Sequence, residues 1–206
     1  DVSHLFNSLT GFSGDREYAH LIVAPGYLRN KFFELIENEI TYGSDGHIVM
    51  KMNGLADPQI IEKLYRASEA GVKIDLIVRG VCAMRPAGGH ENTLRIRSVL
   101  GRYLEHSRMY RFGHGGANGD PAYYIGSADM MPRNLDKRVE VLIPVVHPKH
   151  RRWIDEVFET LLADDVVAFE MNREGDWRRI GPDEYIPAND AQYRIHVRDS
   201  ESQLRL

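Results

Sequence analysis

Cysteine is almost absent from this chain, and so are long apolar runs. Its single cysteine, Cys82, excludes an intramolecular disulfide and suits a reducing cytoplasm. No apolar stretch approaches the roughly 20 residues of a membrane-spanning helix, and no signal peptide opens the sequence. The first residue is Asp1 rather than Met, so we expect a fragment of a longer cytoplasmic protein. Peripheral attachment at the inner face of the membrane stays open as an alternative.

A strong net charge is also missing. The formal net charge is −4 and the isoelectric point is near 6.1, which argues against broad electrostatic binding to nucleic acid or to an anionic membrane. The length of 206 residues suits one domain with a smaller appendage, and a domain of that size can bury a sizeable apolar core.

Lysine is scarce, since the chain has 6 lysines against 20 arginines. The imbalance reflects either compositional bias or a demand for bidentate anion contacts, which guanidinium groups make well. The arginines concentrate in 95–111, where His106 lies among them and Glu105 is the single acid. Guanidinium forks match phosphate oxygens, and histidine exchanges protons near neutral pH. We therefore predict a polyanionic phosphate ligand, held by Arg95, Arg97, Arg102, Arg108 and Arg111.

Hydrophobic periodicity predicts an α/β fold. After a short helix, Val2–Leu9, apolar strands alternate with amphipathic helices, which implies parallel pairing with right-handed crossovers. Asp57 and Pro58 form an N-cap followed by proline at the first helical position. The predicted strands of this half are 20–24, 48–52 and 73–79, and the predicted helices are 28–40 and 58–71.

Shorter strands follow in the second half. The glycine-rich segment 113–121 lies between two of them, so a hairpin turn is favoured over a phosphate cradle. From residue 172 the chain becomes polar and irregular, and 190–206 is expected to be a helix or a loose tail. The predicted strands are 93–99, 107–112, 122–125, 138–146 and 166–170, with a helix over 148–162.

Several side chains are candidates for chemistry. Arg79 ends the third strand, where open α/β sheets bind ligands, although a surface salt bridge would also explain it. His106 and Arg108 are two residues apart, so they are expected to share one strand face; the alternative is a solvated histidine. Ser127 can donate to a phosphate oxygen and Asp129 can orient a histidine ring, unless this segment simply caps the helix that follows.

Further candidates lie downstream. Arg133 belongs to the same dense patch, and Arg138 is either an anion contact or a charge at a strand end. His147 and His150 have the i, i+3 spacing of some metal ligands, but no third ligand lies near them in sequence. We expect no metal site within this chain.

Four stretches resemble the C-terminal region of the bacterial-type, histidine-phosphorylating polyphosphate kinase family. They are MKMNGLADP at 50–58, GVKIDLIVRG at 71–80, RSVLGRYLEHSR at 97–108 and GSADMMPRNLDKRVEV at 126–141. The resemblance implies a phospholipase-D-like fold, a mixed sheet flanked by helices, as the second of two such domains. It implies a lead-in at 1–19, a catalytic domain at 20–172, and a polar, partly helical tail at 173–206.

The resemblance also implies a reaction. The family reversibly transfers the terminal phosphate of ATP to and from inorganic polyphosphate through a phosphohistidine. That histidine and the Mg²⁺ ligands belong to the preceding domain, so we assign no nucleophile here. Arg79 and His106 match the nucleotide-contacting arginine and histidine, and His106 would act as an acid or base or as partner to the external nucleophile. The implied partners are ATP or ADP, polyphosphate, the other domains of the parent chain and further copies in a dimer or tetramer, with no nucleic acid.

Three departures from the family patterns matter, and the first two weigh against phosphodiesterase activity. Arg108 stands in place of the lysine in the phospholipase D His-x-Lys element, and the gap from Arg108 to Gly126 is long. Met130 stands where the family commonly has tryptophan. A phospholipase-D-type phosphodiesterase with His106 as nucleophile, and a non-catalytic polyphosphate-binding module, are the alternatives. Under each of these hypotheses the fragment alone is expected to lack kinase activity.

Overall fold

The computed structural model describes residues 1–12, 18–86, 88–90, 92–163, 167–181 and 190–203, with side chains up to 198. Within these residues the helices are α1 (Val2–Leu9), α2 (Leu28–Tyr42), α3 (Pro58–Glu69), α4 (Pro132–Asp136), α5 (Pro148–Ala163) and α6 (Ala191–Gln203). The strands are β1 (Ile22–Ala24), β2 (His47–Met52), β3 (Lys73–Val78), β4 (Leu94–Val99), β5 (Met109–Phe112), β6 (Ala122–Gly126), β7 (Glu140–Pro144), β8 (Ala168–Met171) and β9 (Trp177–Arg179).

All of these strands join one mixed sheet in the order β1-β7-β6-β5-β2-β3-β4-β8-β9. The pairs β2–β3 and β3–β4 are parallel, and every other neighbouring pair in that order is antiparallel. The predicted α/β class, a mixed sheet flanked by helices, is confirmed.

Two expectations about the strands were wrong. β1 does not pair in parallel with β2; it lies at the far edge, antiparallel to β7. The segment after residue 172, expected to be irregular, contains β9, which pairs with β8. Hydrophobic periodicity could predict neither the pairing of β1 with β7 nor that of β9 with β8, because tertiary contacts determine which strands pair. The predicted strand at 166–170 corresponds to β8; residue 166 lies outside the described residues, as do 182–189 and 204–206 of the tail.

Helices cover the sheet on both faces, which explains why consecutive residues of its central strands are buried although their side chains point to opposite faces. On β2, Ile48 and Met50 belong to the apolar layer under α2 and α3, while Val49 belongs to the layer under α5 and α6. Phe32 of α2 packs edge-on against Tyr110, with ring centroids 5.0 Å apart. Burial on both faces therefore fixes the register of the strands that carry the candidate residues.

Local signals in the sequence set the element ends as expected. The Asp57 carboxylate accepts hydrogen bonds from the backbone N–H groups of Gln59 and Ile60, so it caps α3. Pro58 occupies the first turn of that helix. The loop 113–121 joins the antiparallel strands β5 and β6, which confirms the hairpin.

The predicted site lies at the side of the sheet where the central strands end, which is called the site edge below. Strands β2, β3, β4 and β6 end there, and β5 begins there because it runs antiparallel to β2 and β6. The segments that follow or precede these strand ends carry Arg79, His106, Arg108 and Ser127. Among the described helices, none is both long and apolar enough to cross a bilayer.

Candidate functional site

Arg79 and His106 meet at this edge. The Arg79 Nη2 atom lies 3.3 Å from His106 Nδ1, although 27 residues separate them in sequence. The Arg79 backbone is anchored on both sides, since its N–H donates to the Met52 carbonyl at 3.1 Å and its carbonyl accepts from Ser98 Oγ at 3.2 Å. Arg79 is partly exposed and His106 is exposed. A cation and an imidazole thus lie together at the surface, where both side chains are accessible.

Lys51 lies beneath this pair and was not found by sequence reasoning. Its side chain is 5% exposed, yet its Nζ donates to Glu105 Oε1 at 3.3 Å and to the Ser107 carbonyl at 3.1 Å. Burial lowers the pKa of Lys51, and the charges of Arg79 and Arg108 add to that effect, while Glu105 opposes it. A lysine inside the apolar run Ile-Val-Met-Lys-Met of β2 was the available signal.

The predicted roles of Arg108 and Asp129 need correction. β5 begins at Met109, so His106 and Arg108 precede the strand rather than share a face of it. Asp129 orients Arg108, not the imidazole: its two oxygens accept from Arg108 Nε at 3.2 Å and Nη2 at 2.9 Å. The N–H of Asn53 also donates to Asp129, at 2.7 Å. Burial raises the pKa of Asp129, but these donors outweigh it and the net pKa lies below its ordinary value.

Ser127 is exposed at the same edge. It follows Gly126, where any side chain would require the neighbouring strand to move. The Ser127 Oγ accepts from the Val141 N–H at 3.1 Å, which leaves its hydroxyl proton directed elsewhere. A Cβ added at Gly126 would lie 2.0 Å from the Val141 carbonyl oxygen. The close approach of β6 to β7 therefore requires glycine at 126. Phosphate binding by Ser127 stays a prediction.

The structure separates Arg95, Arg97 and Arg111 of the 95–111 run from His106. Arg95 Nε donates to Asp75 at 2.8 Å, and Asp75 lies four residues before Arg79, roughly 13 Å along an extended strand. Arg97 is buried, and its Nε donates to Glu170 at 2.9 Å. The convergence of all five arginines is therefore not found, because alternate positions of β4 and β5 point into ion pairs away from the edge.

Arg111 belongs to that separate group. Arg111 lies opposite Val49 in the pairing of β5 with β2. Its Nε atom lies 3.3 Å from Asp155 Oδ1, and its Nη1 atom lies 3.2 Å from His47 Nδ1. His47 in turn contacts Asp75, whose pKa lies below its ordinary value because hydrogen bonds and nearby cations outweigh burial. This network neutralises a buried carboxylate at the opposite end of the strands.

The remaining predicted arginines are exposed at or near the site edge. The Arg102 guanidinium lies 5.8 Å from the ring centroid of Tyr103, whose N–H donates to Gln192 of α6 at 2.8 Å. Arg133 is exposed on α4, and Arg138 is exposed just before β7. Phosphate binding by Arg102, Arg133 and Arg138 stays a prediction.

Carboxylate or histidine clusters suited to a metal ion do not occur among the described residues. No three His, Cys, Asp or Glu side chains there come close enough to hold an ion together. His147 and His150 lie near each other, with ring centroids 5.2 Å apart, and a third ligand does not join them within those residues. At the site edge, the carboxylates of Glu105 and Asp129 are engaged by Lys51 and Arg108, so these residues do not fit a Mg²⁺ site.

Comparison with known proteins gives a consistent result. Residues 21–192 match the family described as polyphosphate kinase C-terminal domain 2. The chain is 46% identical over 186 residues to a polyphosphate kinase of Thermosynechococcus vestitus, covering 88% of this chain and 25% of the relative. It is 44% identical over 205 residues to polyphosphate kinase 1 of Chlorobaculum tepidum, covering 98% of this chain and 29% of the relative. The chain thus spans about a quarter of the length of these relatives.

Solved structures agree on the fold. The crystal structure of polyphosphate kinase from Porphyromonas gingivalis superposes with a TM-score of 0.89 at 36% identity, covering 100% of this chain and 32% of that chain. The phospholipase D family member Nuc from Salmonella typhimurium superposes with a TM-score of 0.54 at 13% identity, covering 74% of this chain and 96% of that chain. The second likeness concerns the fold alone.

Proposed function

This chain belongs to the polyphosphate kinase C-terminal domain 2 family, and from that membership we propose that it supplies one half of a kinase active site. The complete enzyme would move the terminal phosphate of ATP reversibly to and from inorganic polyphosphate, through a phosphohistidine in the preceding domain. The single observation that carries the proposal for this domain is the Arg79–His106 contact of 3.3 Å at the open edge of the sheet.

Each residue of the pair has a distinct role in this proposal. Phosphoryl transfer needs mainly positioning and neutralisation of charge that spreads over the phosphate oxygens. Arg79 would bind nucleotide phosphate oxygens with its guanidinium, which extends from a backbone anchored by Met52 and Ser98. His106 would contact the nucleotide and pass a proton to or from the oxygen that leaves, facing the nucleophile of the other domain.

Magnesium would supply neutralisation of the β- and γ-phosphates, but we place its ligands in the preceding domain. The part of this chain that the structure describes has no cluster of carboxylates or histidines for the ion. The positive charge that this domain contributes is instead the guanidinium of Arg79, which is partly exposed and close to His106.

The setting of the enzyme follows the same reasoning. We propose a cytoplasmic protein, an oligomer of identical chains, with ATP or ADP and polyphosphate as substrates and no nucleic acid partner. The free thiol of Cys82 and the net charge of −4 support this setting. The domain divisions at 19 and 172 also remain proposals.

The test uses the full-length parent kinase. His106→Ala is expected to lower kcat for polyphosphate synthesis by about 100-fold or more, since acid–base catalysis contributes on that order. Arg79→Ala is expected to raise the KM for ATP, and the matched control Arg66→Ala removes an arginine of α3 whose side chain is 52% exposed. The far-ultraviolet circular dichroism spectra should be unchanged. Wild-type turnover in His106→Ala would refute the proposal.

A phosphodiesterase of the phospholipase D type is the second candidate, favoured by the shared fold. It would use His106 as nucleophile, with two copies of the domain brought together. The presence of arginine at 108 weighs against it, because the His-x-Lys element has lysine there and Arg108 is committed to an ion pair with Asp129. Hydrolysis of a chromogenic phosphodiester by this chain, abolished in His106→Ala, would favour the phosphodiesterase.

A further inference from the structure

The position of Lys51 is unusual for a charged residue. It lies in the interior strand β2 between Met50 and Met52, and in register with Ile77 on one side and Met109 on the other. Taking an ammonium group out of water is costly unless partners compensate. The lowered pKa of Lys51, caused first by burial, has the direction expected of such a cost.

The partners of Lys51 are the two residues that flank His106. The Nζ atom donates to the Glu105 carboxylate at 3.3 Å and to the Ser107 carbonyl at 3.1 Å. Glu105 also accepts from the Ser107 N–H at 3.1 Å and from its hydroxyl at 2.6 Å. Lys51, Glu105 and Ser107 thus form a closed ring of hydrogen bonds, and the backbone of His106 is the link between two of its members.

This ring fixes a segment that has no regular secondary structure. The residues from 100 to 108 join β4 to β5 without a helix or strand of their own. On the far side of His106, Arg108 Nη1 donates to the His106 carbonyl at 3.0 Å while Asp129 holds the guanidinium. The imidazole is therefore presented to Arg79 from a backbone held at both neighbours.

Stability alone does not account for the lysine. Replacing a buried ion pair with apolar residues of similar volume is often neutral or stabilising. Methionine would match the length of Lys51, and Val49, Ile77 and Met109 around it on the same face of the sheet are already apolar and buried. A lysine at 51 therefore costs stability that its contacts with Glu105 and Ser107 have to offset, and those contacts act on the His106 segment.

We propose that Lys51 is a positioning residue for His106, acting through Glu105 and Ser107. This inference rests on the proposed function, because it concerns the same imidazole. Displacement of a reacting group by about 1 Å can cost on the order of 100-fold in rate, so loss of the ring lowers turnover while the phosphate-binding Arg79, whose backbone is anchored outside the ring, stays in place.

The experiment compares Lys51→Met and Glu105→Ala in the full-length kinase, since glutamine at 105 would keep an oxygen that accepts all three hydrogen bonds. Each is expected to lower kcat for polyphosphate synthesis by about 10- to 100-fold while the KM for ATP changes less than about 2-fold. The double variant is expected to be no slower than the slower single variant, because both substitutions open the same ring. The matched control is Lys73→Met. It removes a lysine whose side chain is 61% exposed and which begins β3, at the end of the strand away from His106.

The outcomes separate the two proposals. His106→Ala is measured alongside; if it retains wild-type turnover, the proposed function fails. If His106→Ala is impaired but Lys51→Met and Glu105→Ala keep kcat within twofold of wild type, only the positioning role is overturned. A multiplicative loss in the double variant, or an equal loss in Lys73→Met, also overturns it. If Lys51→Met fails to fold, as judged by thermal unfolding, Glu105→Ala alone decides.

Discussion

Arg108 and Asp129 form a bidentate ion pair at the edge of the sheet that carries His106. Two hydrogen bonds, of 3.2 and 2.9 Å, join the guanidinium to the carboxylate, and their side chains are 13% and 8% exposed. The same Arg108 donates to the His106 carbonyl at 3.0 Å. The pair therefore connects the loop after β6 with the segment that presents the imidazole.

Removal of Arg108 is expected to destabilise the fold. Arg108→Ala leaves Asp129 buried with only its Asn53 contacts, and breaking a buried pair in this way costs about 3–5 kcal/mol. Arg108→Lys is expected to recover only part of the loss, because an ammonium group cannot make the bidentate contact. Denaturant unfolding of the chain measures both; equal stability of all three proteins would contradict the role given to the pair.

The same pair predicts a pH dependence. The pKa of Asp129 is lower in the folded protein than in the unfolded chain, so the ionised carboxylate stabilises the fold. This contribution is fully present above the pKa of the unfolded chain, about 3.9, and is lost as pH falls through the pKa of the folded protein. Between pH 6 and pH 3, the free energy of unfolding of the wild type should fall more than that of Asp129→Asn. Asp75 and Glu105 have lowered pKa values in both proteins, so their contributions cancel in the comparison. Parallel curves would contradict this prediction.

Gly126 is expected to tolerate no side chain. Gly126→Ala would place its Cβ 2.0 Å from the Val141 carbonyl and 2.7 Å from a methyl carbon of Leu142, so β6 and β7 would have to separate. We expect a loss of roughly 2 kcal/mol or more, in the range of overpacked cores. Ser127→Ala, at the next position, serves as the control and should cost much less, since Ser127 is exposed. A thermal midpoint of Gly126→Ala equal to that of Ser127→Ala would be inconsistent with the clash.

Arg95 should matter for stability rather than for nucleotide affinity. Arg95→Ala removes a charged hydrogen bond to the buried Asp75, worth about 1.5–3 kcal/mol, while His47 and Lys73 remain as partners. In the full-length kinase, the KM for ATP should therefore stay near the wild-type value, in contrast to Arg79→Ala. A rise in KM as large as that of Arg79→Ala would restore Arg95 as a phosphate ligand.

The Cys82 thiol is expected to react slowly. Burial raises its pKa, and the thiol donates to the Met84 carbonyl at 3.4 Å, so little thiolate is present at neutral pH. Alkylation by iodoacetamide at pH 7.5 should be at least about 10-fold slower in the native chain than in the unfolded chain. Equal rates would show that the thiol is accessible and ionised.

The sequence by itself determined the local elements and several of their ends. Asp57 and Pro58 start α3, the glycine-rich loop 113–121 joins two strands, and apolar alternation marks β2 and β3, because caps, turns and periodicity act within a few residues. The long motifs also sufficed to predict the family and the edge of the sheet where Arg79 and His106 lie. The resemblance made both side chains candidates for a nucleotide site, but their contact with each other is a finding of the structure.

Only the tertiary structure decided which charges face the site. Five arginines close in sequence were predicted to converge, but strand alternation and register placed Arg95, Arg97 and Arg111 against carboxylates elsewhere. The buried Lys51 likewise finds its carboxylate partner, Glu105, 54 positions away in sequence. Arg108 finds its partner, Asp129, 21 positions away. The physical reason is that a charge inside a protein must find an opposite charge in space, and the fold determines where that charge lies.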